Sequence, residues 1–151
     1  MTAPLFGIRV VDFTRVLAGP HCTKALRDLG AEVIKIEPPA SDTGRSGQPH
    51  VGPMSLYFAQ QNAGKRALSL DLNYPEAQDI IRKLVARADV VVENFRPGTL
   101  DLFGLGFDDL VAVKPDLIMV SITGYGQSGP WRNRPAFAPT VQAESGFTEI
   151  I

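Results

Sequence analysis

Asn94-Phe95-Arg96-Pro97-Gly98 brings an amide, an aromatic ring and a guanidinium together within one short segment. An aromatic face stacks on a nucleobase, an arginine pairs with phosphate, and an asparagine hydrogen-bonds polar edges. The competing reading is a turn whose Phe95 belongs to the core. Ala18-Gly19-Pro20 is a second candidate. Small residues opening a helix leave backbone N–H groups free to receive a phosphate or carboxylate, although they also suit a plain tight turn. Arg15, Lys35, Arg45, Lys65 and Arg66 would add positive charge at the same rim, unless they are ordinary solvated charges. This set suits an anionic nucleotide without naming it.

Other constellations fail on context. Gly124-Tyr125-Gly126-Gln127-Ser128-Gly129 spells G-x-G-x-x-G. A dinucleotide fingerprint must open a helix, yet Pro130 and Pro135 fall where that helix would run. Gly126-Gln127-Ser128-Gly129 is one residue short of a hydrolase nucleophile elbow. His21, His50 and Cys22 have no metal-ligand spacing, so no metal site is expected. They read as a helix-surface histidine, a loop histidine and a structural thiol.

Something must position these residues, and the hydrophobic pattern says what. Ile8–Asp12 and Glu32–Ile36 read as strands around a helix carrying Cys22, Ala25, Leu26 and Leu29, which Gly30 ends. That is the length of a βαβ unit. Residues 38–53 form a long Pro-, Gly- and Ser-rich loop, followed by a short helix over 55–61 and a strand over 66–72. Pro75-Glu76 opens the clearest helix, with Ala77, Ile80, Ile81, Leu84, Val85 and Ala88 on one stripe. Val90–Val92 and Leu117–Thr123 are further strands, with short helices expected over 108–113 and 139–146. Continuous apolar strands alternating with helices predict an α/β fold: a Rossmann-like, mainly parallel sheet flanked by helices. Ligands of such sheets bind at the C-terminal strand ends, which here are residues 13–20, 37–50, 93–99 and 123–131.

Composition narrows the class. The 151 residues fit one domain, and 44% hydrophobic with 21% charged is globular. A net charge of −1 offers no global attraction to nucleic acid or an anionic membrane, so neither partner is expected. No stretch is long and apolar enough to be a membrane helix, and the N-terminus lacks signal-peptide character. The lone Cys22 cannot form an internal disulfide, which points to a reducing, cytoplasmic compartment.

The run Leu5–Thr14 with Ala18-Gly19-Pro20 closely resembles the start of the class III CoA-transferases, the CaiB/BaiF family. The resemblance continues through Asp28–Pro39, Asn62, Lys65-Arg66, Leu70-Asp71-Leu72, Ala88-Asp89-Val90, Glu93–Gly98 and Gly124–Pro130. It implies a CoA-binding Rossmann-like large domain and two chains interlocked as a homodimer. It implies transfer of CoA between carboxylic acids through an aspartyl anhydride and an enzyme thioester. Acyl-CoA and carboxylic acids would be the substrates, with no cofactor beyond coenzyme A itself as substrate.

The family's nucleophilic aspartate follows the Gly-Tyr-Gly segment beyond Ile151, so no catalytic residue is assigned within the chain. Residues 1–151 are expected to be an incomplete CoA-binding domain, with the small second domain absent. By resemblance, Asn94 and Phe95 match adenine-side contacts, Ala18 a backbone contact near the pantetheine, and Leu70 an apolar wall. Val16 and Leu17 belong to the same loop, Leu17 standing where formyl-CoA transferase has a glutamine near the thioester. Two CoA-holding arginines of that enzyme correspond to Pro38 and Leu102, and Arg45 and Arg96 are the substitutes considered. The racemase branch of the family needs a histidine where Phe137 stands, and phenylalanine carries no proton. Besides that racemase, a non-catalytic CoA-binding or subunit-interaction module is the alternative of a different class.

Overall fold

A computed structural model describes residues 2–150. Arg9–Asp12 forms β1, Ala18–Asp28 forms α1 and Glu32–Glu37 forms β2. β1 and β2 pair in parallel, with Val10 opposite Val33 and Asp12 opposite Lys35. The long loop that follows is not featureless. It holds a 3-10 turn over Thr43–Ser46, then β3 (His50–Val51) and β4 (Met54–Ser55) as a small antiparallel pair. Next come α2 (Leu56–Asn62), β5 (Arg66–Ser69), α3 (Pro75–Val85) and β6 (Val90–Glu93). α4 (Phe107–Val113), β7 (Ile118–Ser121), α5 (Ala138–Glu144) and α6 (Phe147–Ile150) complete the described chain.

Five strands make one parallel sheet in the order β5-β2-β1-β6-β7. The order reverses between β1 and β6, so the crevice at their C-terminal ends is the topological switch point where such sheets bind ligands. Val10 and Val11 on β1 and Val91 and Val92 on β6 are fully buried, as expected of central strands covered on both faces. One face packs Val11 and Val91 with Ile81 and Val85 of α3 and Leu110 of α4. The other packs Val10, Val33 and Val92 with Leu26 of α1.

α1 departs from its expected orientation. Its buried residues are Gly19, Pro20 and Thr23, while Leu29 is 47% exposed. The cause is polar. Thr23 Oγ1 donates to Asp12 Oδ2 at 2.6 Å, which turns the threonine face inward. Gly19 permits the close approach, because a Cβ there would lie 2.3 Å from Thr14 Cβ. The G-x-G-x-x-G segment opens no helix, since α5 begins only at Ala138.

Candidate functional site

β1 and β6 end side by side, and the loops leaving them are stitched together. Arg15 N donates to Asn94 Oδ1 at 2.8 Å, and Asn94 Nδ2 donates to Arg15 O at 2.9 Å. Asn94 therefore fixes the β1–α1 loop across the switch point. One N–H and one lone pair of its amide remain for a ligand.

A cleft of about 530 Å³ on the β6–β7 side is lined by Glu93, Arg96 and Ser121, and two others open at the switch point itself. The larger of these two, about 450 Å³, is lined by Ala18, Asn94, Phe95 and Arg96 with Thr123 and Arg132 among its other walls. The smaller, about 220 Å³, is lined by Arg15, Pro38, Leu70 and Phe95, with Phe13 and Phe103 behind them. Phe95 lines both. The Arg15 guanidinium lies 5.0 Å from the Phe95 ring centroid, and its buried Nε has no hydrogen-bond partner among the described residues. Thr123 Oγ1 is likewise buried without a partner. No side chain caps α1 and its first turn holds no acid, so its N-terminal amides carry uncompensated positive dipole beside Ala18.

The sequence-predicted residues thus divide. Ala18, Asn94, Phe95 and Arg96 meet in one cleft, and Leu70 joins Phe95 in the next. Val16 and Leu17 stand on the exposed rim, at 48% and 49% exposure. Arg45 lines neither cleft. Its Nε and Nη2 donate to the two carboxylate oxygens of Glu37 at 2.8 and 2.6 Å, and its guanidinium lies 3.8 Å over the Phe58 ring.

Two of the five charges expected at the rim are interior instead. Lys35 and Asp42 pair at 2.9 Å with both side chains 1% exposed. Lys65 and Asp12 pair at 3.1 Å with side chains 2% and 0% exposed. Arg66 is exposed and pairs with Glu32. β2 is buried on both faces near its end, so a lysine within it must find a counter-charge inside. The pattern of Glu32-Val33-Ile34-Lys35-Ile36-Glu37 carries that signal, because Lys35 shares a face with the buried Val33.

Burial alone would raise the Glu37 and Asp42 carboxyls. For Glu37, Arg45 and the Asp42 N–H outweigh burial and hold it below its usual 4.5. For Asp42, the Gly44 N–H, Lys35 and the Val16 N–H do the same. Burial pushes Glu93 up, and the Ser121 hydroxyl and Phe95 N–H only partly offset it. Burial also lowers the Lys65 ammonium, against the pull of Asp12.

The lowered Glu37 value fixes a pH dependence. Its charged form stabilises the fold above the unfolded pKa, and that contribution is lost as pH falls through the folded pKa. Arg45→Met removes the group that lowers it. The stability gap between wild type and variant should be widest near neutral pH and shrink below about pH 4.5. Urea midpoints of both proteins between about pH 3 and about pH 7 measure this. A gap that widens on acidification contradicts the assignment.

The family model described as "CoA-transferase family III" matches residues 5–151. The chain is 44% identical to the succinyl-CoA–L-malate CoA-transferase beta subunit of Chloroflexus aurantiacus, covering 99% of this chain and 37% of that protein. It is 44% identical to the succinyl-CoA:glutarate CoA-transferase of Homo sapiens, covering 97% of this chain and 34% of that one. The crystal structure of a CaiB/BaiF family protein from Brucella suis superposes with a TM-score of 0.91 at 42% identity, covering 97% of this chain and 40% of that one. The chain thus spans little more than a third of the curated relatives it matches.

Proposed function

Because the chain belongs to CoA-transferase family III, we propose that it is the CoA-binding portion of an enzyme that moves CoA between carboxylic acids. The observation that carries this reading is the family match itself, which runs through residues 5–151 and includes every residue lining the two clefts. The α/β sheet with its switch-point crevice is the scaffold such a ligand requires.

In this reading Phe95 offers its ring to the adenine. Arg15 and Arg96 supply positive charge for phosphates, and Leu70 walls the apolar side. Ala18 and the rim residues Val16 and Leu17 guide the pantetheine arm along the α1 N-terminus. Arg45 acts behind Glu37, keeping that carboxylate paired beside an anionic ligand. The aspartate that attacks the thioester would come from outside residues 1–151. Its carboxylate displaces the CoA thiolate to form an anhydride, and the thiolate returns to the aspartyl carbonyl as the first acid leaves. An acceptor carboxylate then attacks that enzyme thioester, and the released thiolate attacks the resulting anhydride. The new acyl-CoA leaves and the aspartate is regenerated. CoA is a substrate here, and the chemistry calls on no metal. The working form would be a cytoplasmic homodimer.

The test is transfer by the full natural chain in deuterated water, with succinyl-CoA as donor and glutarate or malate as acceptor. Mass spectrometry should find the acceptor's thioester formed with total thioester conserved. Phe137 lines the larger switch-point cleft and cannot move a proton. A 2-methylacyl-CoA should therefore pick up no deuterium at its α-carbon. Exchange at catalytic rates without transfer overturns the reading in favour of racemisation. CoA binding without transfer favours a binding module.

A further inference from the structure

Two buried lysine–aspartate pairs flank the loop that enters α1, and none of the four residues lines either cleft. Burying an ion pair is rarely a net gain in stability, and apolar replacements of similar volume are often neutral or better. The pairs call for a geometric explanation.

Lys35 and Asp42 grip the loop backbone directly. Lys35 Nζ donates to Thr14 O at 2.6 Å. Asp42 Oδ1 accepts from Val16 N at 3.2 Å and from Gly44 N at 2.9 Å. Asp42 Oδ2 faces the ammonium. Between these anchors Asn94 holds both backbone groups of Arg15. The loop is therefore fixed at three successive residues, Thr14, Arg15 and Val16.

Val16 explains why so much restraint is present. Its φ is +67°, the left-handed region that sterics deny to a β-branched residue. Released, the residue would return to a negative φ. That rotation would swing Arg15 away from the Phe95 ring and shift Leu17 and Ala18 at the start of α1. Both movements would alter the clefts.

We propose that Asp42, with Lys35 as its counter-charge, is a positioning residue for CoA binding: it holds Val16 left-handed and thereby sets Arg15 and the α1 N-terminus against the clefts. The inference rests on the CoA reading above and assigns the buried pair a part in it.

The test uses the full natural chain and isothermal titration with CoA, alongside thermal unfolding of each protein. Lys35→Met/Asp42→Asn removes both charges but keeps a carbonyl oxygen for the Val16 and Gly44 N–H groups. Lys35→Met/Asp42→Leu removes that acceptor too. The Leu variant should bind CoA about tenfold or more weakly, while the Asn variant stays within about threefold of wild type. Both doubles are then repeated on a Val16→Gly background. Glycine adopts positive φ unaided, so the penalty for losing the acceptor should fall to less than about threefold there. A purely structural pair would change the unfolding temperature and leave this coupling at zero. Wild-type affinity in a folded Leu variant overturns the proposal, as does an equal penalty on both backgrounds. Should the Leu variant not fold alone, the same pair on the Val16→Gly background decides. Recovery of folding and CoA binding there supports the clamp, and failure there overturns it. Absence of CoA binding by wild type overturns the parent reading instead, and is distinct from all these results.

Discussion

Lys65→Met should lose about 3–5 kcal/mol of stability, because it leaves a charged Asp12 buried with no counter-ion. Lys65 Nζ lies within 3.1 Å of Asp12 Oδ2, Thr23 Oγ1, Pro20 O and Asn62 Oδ1. It thereby ties β1 to α1 and to the end of α2. Asp12 is itself 0% exposed and also accepts from the Thr14 N–H at 2.9 Å. Native domains are stable by only about 5–15 kcal/mol, so the variant should unfold at a much lower urea midpoint or fail to accumulate. Arg66→Met is the control. Arg66 also pairs with a carboxylate, but its side chain is 78% exposed. Water screens that pair, and its loss should cost no more than about 1 kcal/mol. Equal shifts from the two substitutions would mean that burial does not govern these ion pairs.

Phe95→Ala should weaken CoA binding by about fivefold or more, since stacking of a base on an aromatic side chain contributes about 1–3 kcal/mol. Phe95 is the residue shared by the two clefts and carries the Arg15 guanidinium over its ring. Its removal would take away the adenine platform and free Arg15 together. An acyl-pantetheine, which lacks the nucleotide, should lose little. Titration of both compounds against wild type and variant separates these cases. Unchanged CoA affinity in a folded variant removes Phe95 from the adenine pocket. An equal loss for the pantetheine places the ring on the acyl arm instead.

The sheet was legible because its central strands are apolar on both faces. Val10-Val11 and Val90-Val91-Val92 are short β-branched runs that suit the middle of a parallel sheet, and they occupy it. The stripe on α3 was legible from its helical spacing, with Ala77, Ile81 and Val85 buried, but Ile80 at its edge is 40% exposed. Apolar spacing does not predict the buried face of α1. Thr23 is drawn inward by Asp12, and hydrophobic periodicity carries no such information. The small β3–β4 pair escaped because two-residue strands leave no alternation to read. In the candidate site, residue type and position after a strand single out Asn94, Phe95 and Arg96, and the fold brings them together with Ala18 in one cleft. Residue type marks Arg15 only as a charge, and its place over Phe95 follows a left-handed Val16 that propensity would argue against. Lysine is seldom interior, so residue type alone places Lys35 and Lys65 at the rim. Asp12 stands 53 residues from Lys65, a pairing visible only in three dimensions, while Asp42 lies just past the Pro38-Pro39 turn from Lys35 and meets it only because the loop folds back.

The central claim is that CoA occupies the crevice where β1 and β6 end. Hydrogen exchange of the full natural chain, followed by mass spectrometry with and without CoA, tests it most directly. The account predicts slowed exchange in peptides spanning residues 15–19 and 94–99, with weaker protection around Leu70 and none on the exposed face of α3. Protection confined to other segments, or no change at saturating CoA, would contradict it.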